Sequence, residues 1–270
     1  MFSLLWRKKI IGLANGAVAL SFGMVAALAP PASAHTLTNM FDTGCLGKSP
    51  TTLFPNSHLP GNTMSIEVSH PSSGVYHLQT GVGTFANTPT GPSVPAGTLA
   101  TAMSRFRLLY KINPSTFVSA SVVPGTGIGL VGPSSVTRVN ATGAADPGGD
   151  YIALSGGATI AGASPSGSNG SVAGLTAPAV GGPTSTTSFQ LPAVSISTTA
   201  NELDAVVATN GSAGKYGNPA NFLTFLVSVS YYGVASHAAT MCMPTDVSAL
   251  SDSDIGSYLP LNGGAGSLHS

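Results

Sequence analysis

Apolar and polar residues alternate with a period of two along several stretches of this chain, and clusters of glycine and proline separate them. In residues 64–69, Met64, Ile66 and Val68 fall on one face, and residues 75–78 form a short candidate partner strand. Residues 92–97 read as a loop. Residues 105–112 alternate again, with Phe106, Leu108, Tyr110 and Ile112 pointing one way and Arg105, Arg107 and Lys111 the other. A helix competes over the front of this stretch, because Leu99, Met103, Phe106 and Tyr110 also share a helical face. The charges favour strand for 105–112 and leave a short helical turn at 99–103. Asn113-Pro114-Ser115 stops the element, and residues 117–123 read as the next strand, ended by Pro124-Gly125-Thr126-Gly127. Two more short strands, 136–140 and 151–154, flank a loop at 146–150.

The strongest pattern lies in residues 221–234. Leu223, Phe225, Val227, Val229 and Tyr231 line one face, and Phe222, Thr224, Leu226, Ser228 and Ser230 the other, which predicts a central strand. Residues 188–197 read as a strand interrupted at Pro192, hence an edge or a bulge. Residues 156–187 are almost all Gly, Ala, Ser, Thr and Pro and offer a core little to bury. Two readings of that stretch stay open: a linker, or irregular strands whose small side chains face a neighbouring sheet. Many short strands with Gly/Pro turns and no βαβ pattern predict an all-β, antiparallel β-sandwich with long Gly/Ser/Pro-rich loops.

The first 34 residues change the picture by fixing a compartment. Arg7, Lys8 and Lys9 precede an apolar run over residues 10–29, and Ala32-Ser33-Ala34 offers a small-residue cleavage motif. This predicts a secretory signal peptide over 1–34, a β-sandwich domain over 35–245 and a flexible tail over 246–270. The same run is close to membrane-spanning length, so retention as an anchor is the competing reading. No later stretch reaches that length, and no transmembrane segment is expected after cleavage.

Charge is sparse: nine Lys and Arg and nine Asp and Glu in 270 residues. The tag removes three of the basic residues, leaving six against nine and a net charge of about −3. Nucleic-acid binding by phosphate neutralisation is not expected of such a chain. Cys45 and Cys242 form an even pair in an oxidising compartment and predict one disulfide tying the first ordered segment to the last. Closing so long a loop stabilises by about 5 kcal/mol on the chain-entropy account.

The run Phe106-Arg107-Leu108-Leu109-Tyr110-Lys111-Ile112-Asn113-Pro114, followed by Phe117-Val118-Ser119-Ala120-Ser121-Val122 and Pro124-Gly125, resembles the strand pair of prokaryotic Ig-like surface domains. The chain after the tag, with one cysteine near each end, is similar to secreted actinobacterial β-rich proteins of unknown function. The resemblance implies an Ig-like sandwich and brings no catalytic residues.

Motifs for chemistry are weak. Gly127-Ile128-Gly129-Leu130-Val131-Gly132 fits a dinucleotide fingerprint in form, but Pro133 and a strand-like segment follow where a helix is needed. There is no Gly-x-Ser-x-Gly elbow, and His58, His70, His77 and His237 are scattered. Glu67 and Asp204 have no spacing that marks a glycosidase pair, and Asp146 and Asp150 fall short of a calcium loop. Cleavage after Ala34 makes His35 the mature amino terminus, which with a second histidine could chelate copper, as in copper-dependent polysaccharide oxygenases. Tyr76, Tyr216 and Tyr258 are candidates for surface contacts. The sequence thus predicts a secreted or cell-surface protein, non-enzymatic and without a cofactor. It acts by binding an envelope or extracellular glycan, lipid or protein, or as a structural component. The alternative is a secreted enzyme, either an unconventional hydrolase or a copper-dependent oxygenase through His35.

Overall fold

The computed structural model describes residues 36–49, 57–90, 94–157, 160, 170–203, 205–207, 221–244 and 267–268. The export tag predicted over 1–34, His35, Asp204, Tyr216 and Tyr258 lie outside the described residues. The described part is all-β and contains no α-helix. Its strands in chain order are β1 (Thr36–Lys48), β2 (Ser57–Ser72), β3 (Val75–Thr80), β4 (Gly83–Ala86), β5 (Thr98–Ile112), β6 (Phe117–Val122), β7 (Ser135–Val139) and β8 (Tyr151–Ser155). They continue with β9 (Thr176–Pro178), β10 (Thr186–Phe189), β11 (Val194–Thr198), β12 (Ala205–Val207), β13 (Leu223–Tyr231), β14 (Val234–Pro244) and β15 (Ser267–Leu268). No helix among the described residues is long and apolar enough to cross a membrane.

Every pairing between these strands is antiparallel. One hydrogen-bonded path runs β15-β12-β5-β13-β14-β1-β2-β3-β11-β6, with β8 and β9 branching from β5, β7 pairing β8, and β4–β10 forming a separate ribbon. The path curls so that its two halves share one core, in the manner of a sandwich. Ile66, Val68, Tyr76, Leu78, Val194 and Ile196 come from β2, β3 and β11; Leu108, Tyr110, Ile152, Leu154 and Val207 come from β5, β8 and β12. Tyr76 belongs to this core rather than to the surface, and its hydroxyl donates to the Asn201 carbonyl at 2.8 Å.

Strand β5 corrects one expectation. Residues 99–103 are strand, not a helical turn. The pairing with β13 shifts register between Ser228 and Val229 and again between Thr224 and Leu226, so β5 carries an extra residue at each place. Each bulge moves the following side chains to the opposite face. Residues of one wall then recur at Ala100, Met103 and Phe106, a spacing of three that imitates a helical face. Arg105 sits in the second bulge with φ +54°. It and Arg107, on the face away from the apolar alternation, are only 7% and 8% exposed. Loops pack over that face and supply acceptors: Arg105 Nε donates to Ser171 O at 2.9 Å, and Arg107 Nη2 to Gly143 O at 2.5 Å.

The stretch 221–234 is central, as its two-sided pattern requires: β13 lies between β5 and β14. It ends earlier than expected, because Tyr232 (φ +46°) and Gly233 (φ +81°) turn the chain into β14. The low-complexity stretch contributes β9 and β10 over its described part. Its small residues allow backbones to touch: a Cβ on Gly174 would lie 1.6 Å from Gly156 O. The segment expected as a tail supplies β15, with Ala205 opposite Leu268 and Val206 opposite Ser267.

Candidate binding cavity

At one end of the core the curled sheet fails to fill itself and leaves a cavity of about 620 Å³. Native interiors keep few voids larger than a water molecule, and this volume lies in the range of small-molecule sites, roughly 300–1,000 Å³. The wall formed by β5 and β13 is apolar. Leu223, Phe225, Val227 and Val229 line it at strict alternation along β13, and the two bulges bring Ala100, Met103 and Phe106 to the same side along β5. The ring of Phe106 stands 5.0 Å from that of Phe189 on β10 and 5.7 Å from that of Phe225, centre to centre. Phe85 on β4 adds a fourth ring, 6.3 Å from Phe189, so the β4–β10 ribbon covers this aromatic group.

The wall continues across β14, β1, β2 and β3 with mostly small and hydroxyl-bearing residues: Thr240 of β14 (paired with Phe225), Thr43 and Gly47 of β1, Thr63 and Ser65 of β2 beside Met64, and Thr80 of β3. Thr43, Thr80 and Thr240 are buried, whereas Thr63, Val82, Thr84 and Thr90 are exposed and mark the mouth. The Thr80 carbonyl accepts from Gln190 Nε2 at 2.6 Å, but its buried Oγ1 has no partner among the described residues. An unpaired buried hydroxyl costs about 1–3 kcal/mol.

Cys45 and Cys242 are bonded and lie in this wall. They face each other in register on β1 and β14, with Cα atoms 4.1 Å apart. The predicted pairing is therefore a cross-strand bridge that pins the register of adjacent strands beside the cavity.

His237 is the single titratable lining residue among those described, the disulfide aside. Its Nδ1 lies 3.1 Å from Ser228 Oγ, directly opposite across β13 and β14. This pair lacks the electrostatics of a nucleophile and its base. Burial, and then the positive charge of Arg105, hold the imidazole below its usual range. A serine hydrolase needs the reverse, an anion that stabilises the imidazolium. Ser228 is itself buried.

The other sequence candidates do not converge. No group of three or more His, Cys, Asp or Glu able to hold a metal occurs among the described residues. His70 stacks on Tyr76 at 4.6 Å, and Glu67 is exposed on β2. Asp146 Oδ1 accepts from Gly148 N at 2.8 Å, closing a turn. The glycine-rich run 127–132 forms isolated bridges, Ile128 to Gln190 and Val131 to Thr176, and opens no helix that could receive a phosphate. Sequence reasoning found the β13 face and the cysteines but missed the hydroxyl wall. The available signal was the run of small or hydroxyl-bearing residues at alternating positions, Thr43, Cys45, Gly47 and Ser49 in one stretch and Thr80, Thr84 and Ala86, interrupted by Val82, in the other. Comparison with protein-family models, with curated proteins and with solved structures finds no match for the chain.

Proposed function

We propose that this is an exported protein that acts by binding, holding a small, largely apolar molecule in the cavity lined by β5, β13, β14, β1, β2 and β3. The observation that carries the reading is the cavity itself: about 620 Å³, with Phe, Met, Leu and Val among the residues that line it. Apolar surface lining an open cavity is costly to leave against water, and an occupant that covers it offsets that cost. The export tag and the disulfide support a location outside the membrane, at the cell surface or in the medium. In this reading the protein sits with the secreted β-rich and Ig-like surface proteins that its sequence resembles, and among the expected partners a lipid-like molecule fits better than a glycan.

Native mass spectrometry of the processed, disulfide-bonded protein after incubation with a lipid extract of cell envelopes tests this. One small molecule retained per chain, and released on unfolding, is the expected result. Turnover of lipids, esters or glycans by the purified protein would contradict a binding role. Amino-terminal sequencing of material recovered from the medium should begin at His35.

A further inference from the structure

The wall formed by β5, β13 and β14 does not stop where the cavity ends, and the inference drawn from this rests on the binding reading above. Pairing sets residues of the three strands in rows that share a face. Three successive rows on the cavity face are Met103–Val227–Ala238, Ala100–Val229–Ser236 and Thr98–Tyr231–Val234. Met103, Ala100, Thr98, Val227, Val229 and Ala238 line the cavity. The last row carries the same wall past it, to Tyr231 and Val234 at the end of the β13–β14 hairpin. Val234 is 61% exposed and Tyr232, in the turn, 80%. The rings of Tyr231 and Tyr232 meet edge to face at 4.7 Å. Tyr232 also stands over the segment that enters the lining at Thr98, since a Cβ on Gly97 would lie 3.5 Å from its ring. Residues 81–104 and 221–244, which build this end, contain no Asp, Glu, Lys or Arg.

We propose that the β13–β14 hairpin tip docks on a neutral lipid surface, so that an apolar molecule passes from lipid into the cavity along the wall that joins the two. Such a molecule is driven out of water, and a route over Val234, Tyr231 and Val229 keeps it against apolar side chains. Tyrosine suits the boundary, its ring in the apolar layer and its hydroxyl in the wet one. The two segments bring no fixed charge whose desolvation would oppose contact with lipid. A second copy of the chain fits this tip less well. Three side chains at a turn offer at most a few hundred Å², short of the roughly 800 Å² per partner that a stable protein interface takes.

Flotation of the full processed chain with phosphatidylcholine vesicles tests this. The chain should float with them equally at about 0.15 M and about 1 M salt, because apolar contact is not screened. Tyr232→Asn, which suits the turn, should keep the fold and weaken vesicle binding by about three- to tenfold. Tyr232→Asp combined with Val234→Asp should abolish flotation and leave binding of a neutral environment-sensitive dye in solution unchanged. Val118→Asp, at an exposed position on β6, should float like the wild type. No flotation, flotation only when anionic lipid is added, or tip variants that float as well as the wild type overturn the docking inference and leave the binding reading standing. Dimerisation in solution that the double variant abolishes also overturns it, and assigns the tip to a second copy. Flotation by a chain that binds no dye overturns the binding reading and, with it, the loading route.

Discussion

The two ends of the core are built from the same strands and differ in what fills them. At one end β2, β3, β5 and β8 contribute Ile66, Tyr76, Leu78, Leu108, Tyr110, Ile152 and Leu154, all buried in contact. At the other end the same β2, β3 and β5 present Thr63, Ser65, Thr80, Thr98 and Ala100, joined by Thr43 and Gly47 from β1 and Thr240 from β14. Large branched and aromatic side chains reach across the gap between facing strands; threonine, serine, alanine and glycine do not. The cavity thus follows from residue size along continuous strands, not from a change of fold. One sheet serves as both scaffold and container.

The difference can be tested by loosening each end in turn. Replacing Cys45 and Cys242 together by alanine should have the largest effect, a loss of about 2–5 kcal/mol in denaturant unfolding. Hydrogen exchange should accelerate first in β1 and β14, beside the cavity, and last around Tyr110. Uniform loss of protection would break the contrast. Leu154→Ala at the packed end should cost about 2–5 kcal/mol, because the tight surroundings relax only in part. Val227→Ala, on a wall that already faces a void, should cost less, about 1 kcal/mol. Equal costs would mean the hollow end is not hollow in solution.

Smaller effects sharpen the same picture. Tyr232, 80% exposed, takes a left-handed conformation at the β13–β14 turn beside the hollow end. Asparagine suits the first position of such a turn before glycine, so Tyr232→Asn should stabilise by about 0.5–1 kcal/mol in thermal or denaturant unfolding. The weakest effect is that of pH. The imidazole of His237 is held below its usual range by burial and then by Arg105, so the unfolded chain binds that proton more readily than the folded one. Its contribution is full above about pH 6.5 and is lost as pH falls through the lowered folded value. The unfolding midpoint should decline below that pH, and decline less in His237→Gln.

Much of the fold was legible where a strand keeps its period. β13 reads cleanly because each second residue is large and apolar and both neighbours are strands. The disulfide was legible because two cysteines in a chain whose first residues read as an export tag leave one pairing. β5 was harder. Its bulges at Thr101 and Arg105 break the period of two, and alternation alone could not tell a solvent face from one covered by loops carrying Gly143 and Ser171. β1 and β14 escaped because their cavity faces hold Thr, Gly and Cys, which leave no hydrophobic rhythm. The features that hide those strands from a periodicity search are the ones that make the cavity.

The central claim is that the hollow end takes up an apolar molecule, and filling it is the most direct test. Titration of a neutral environment-sensitive dye against the processed wild-type protein and an Ala100→Phe variant measures this. The account predicts saturable one-to-one binding to the wild type, and loss of binding in a variant that stays folded because the added ring occupies existing space. Undiminished binding to the folded variant, or none to the wild type, would contradict it.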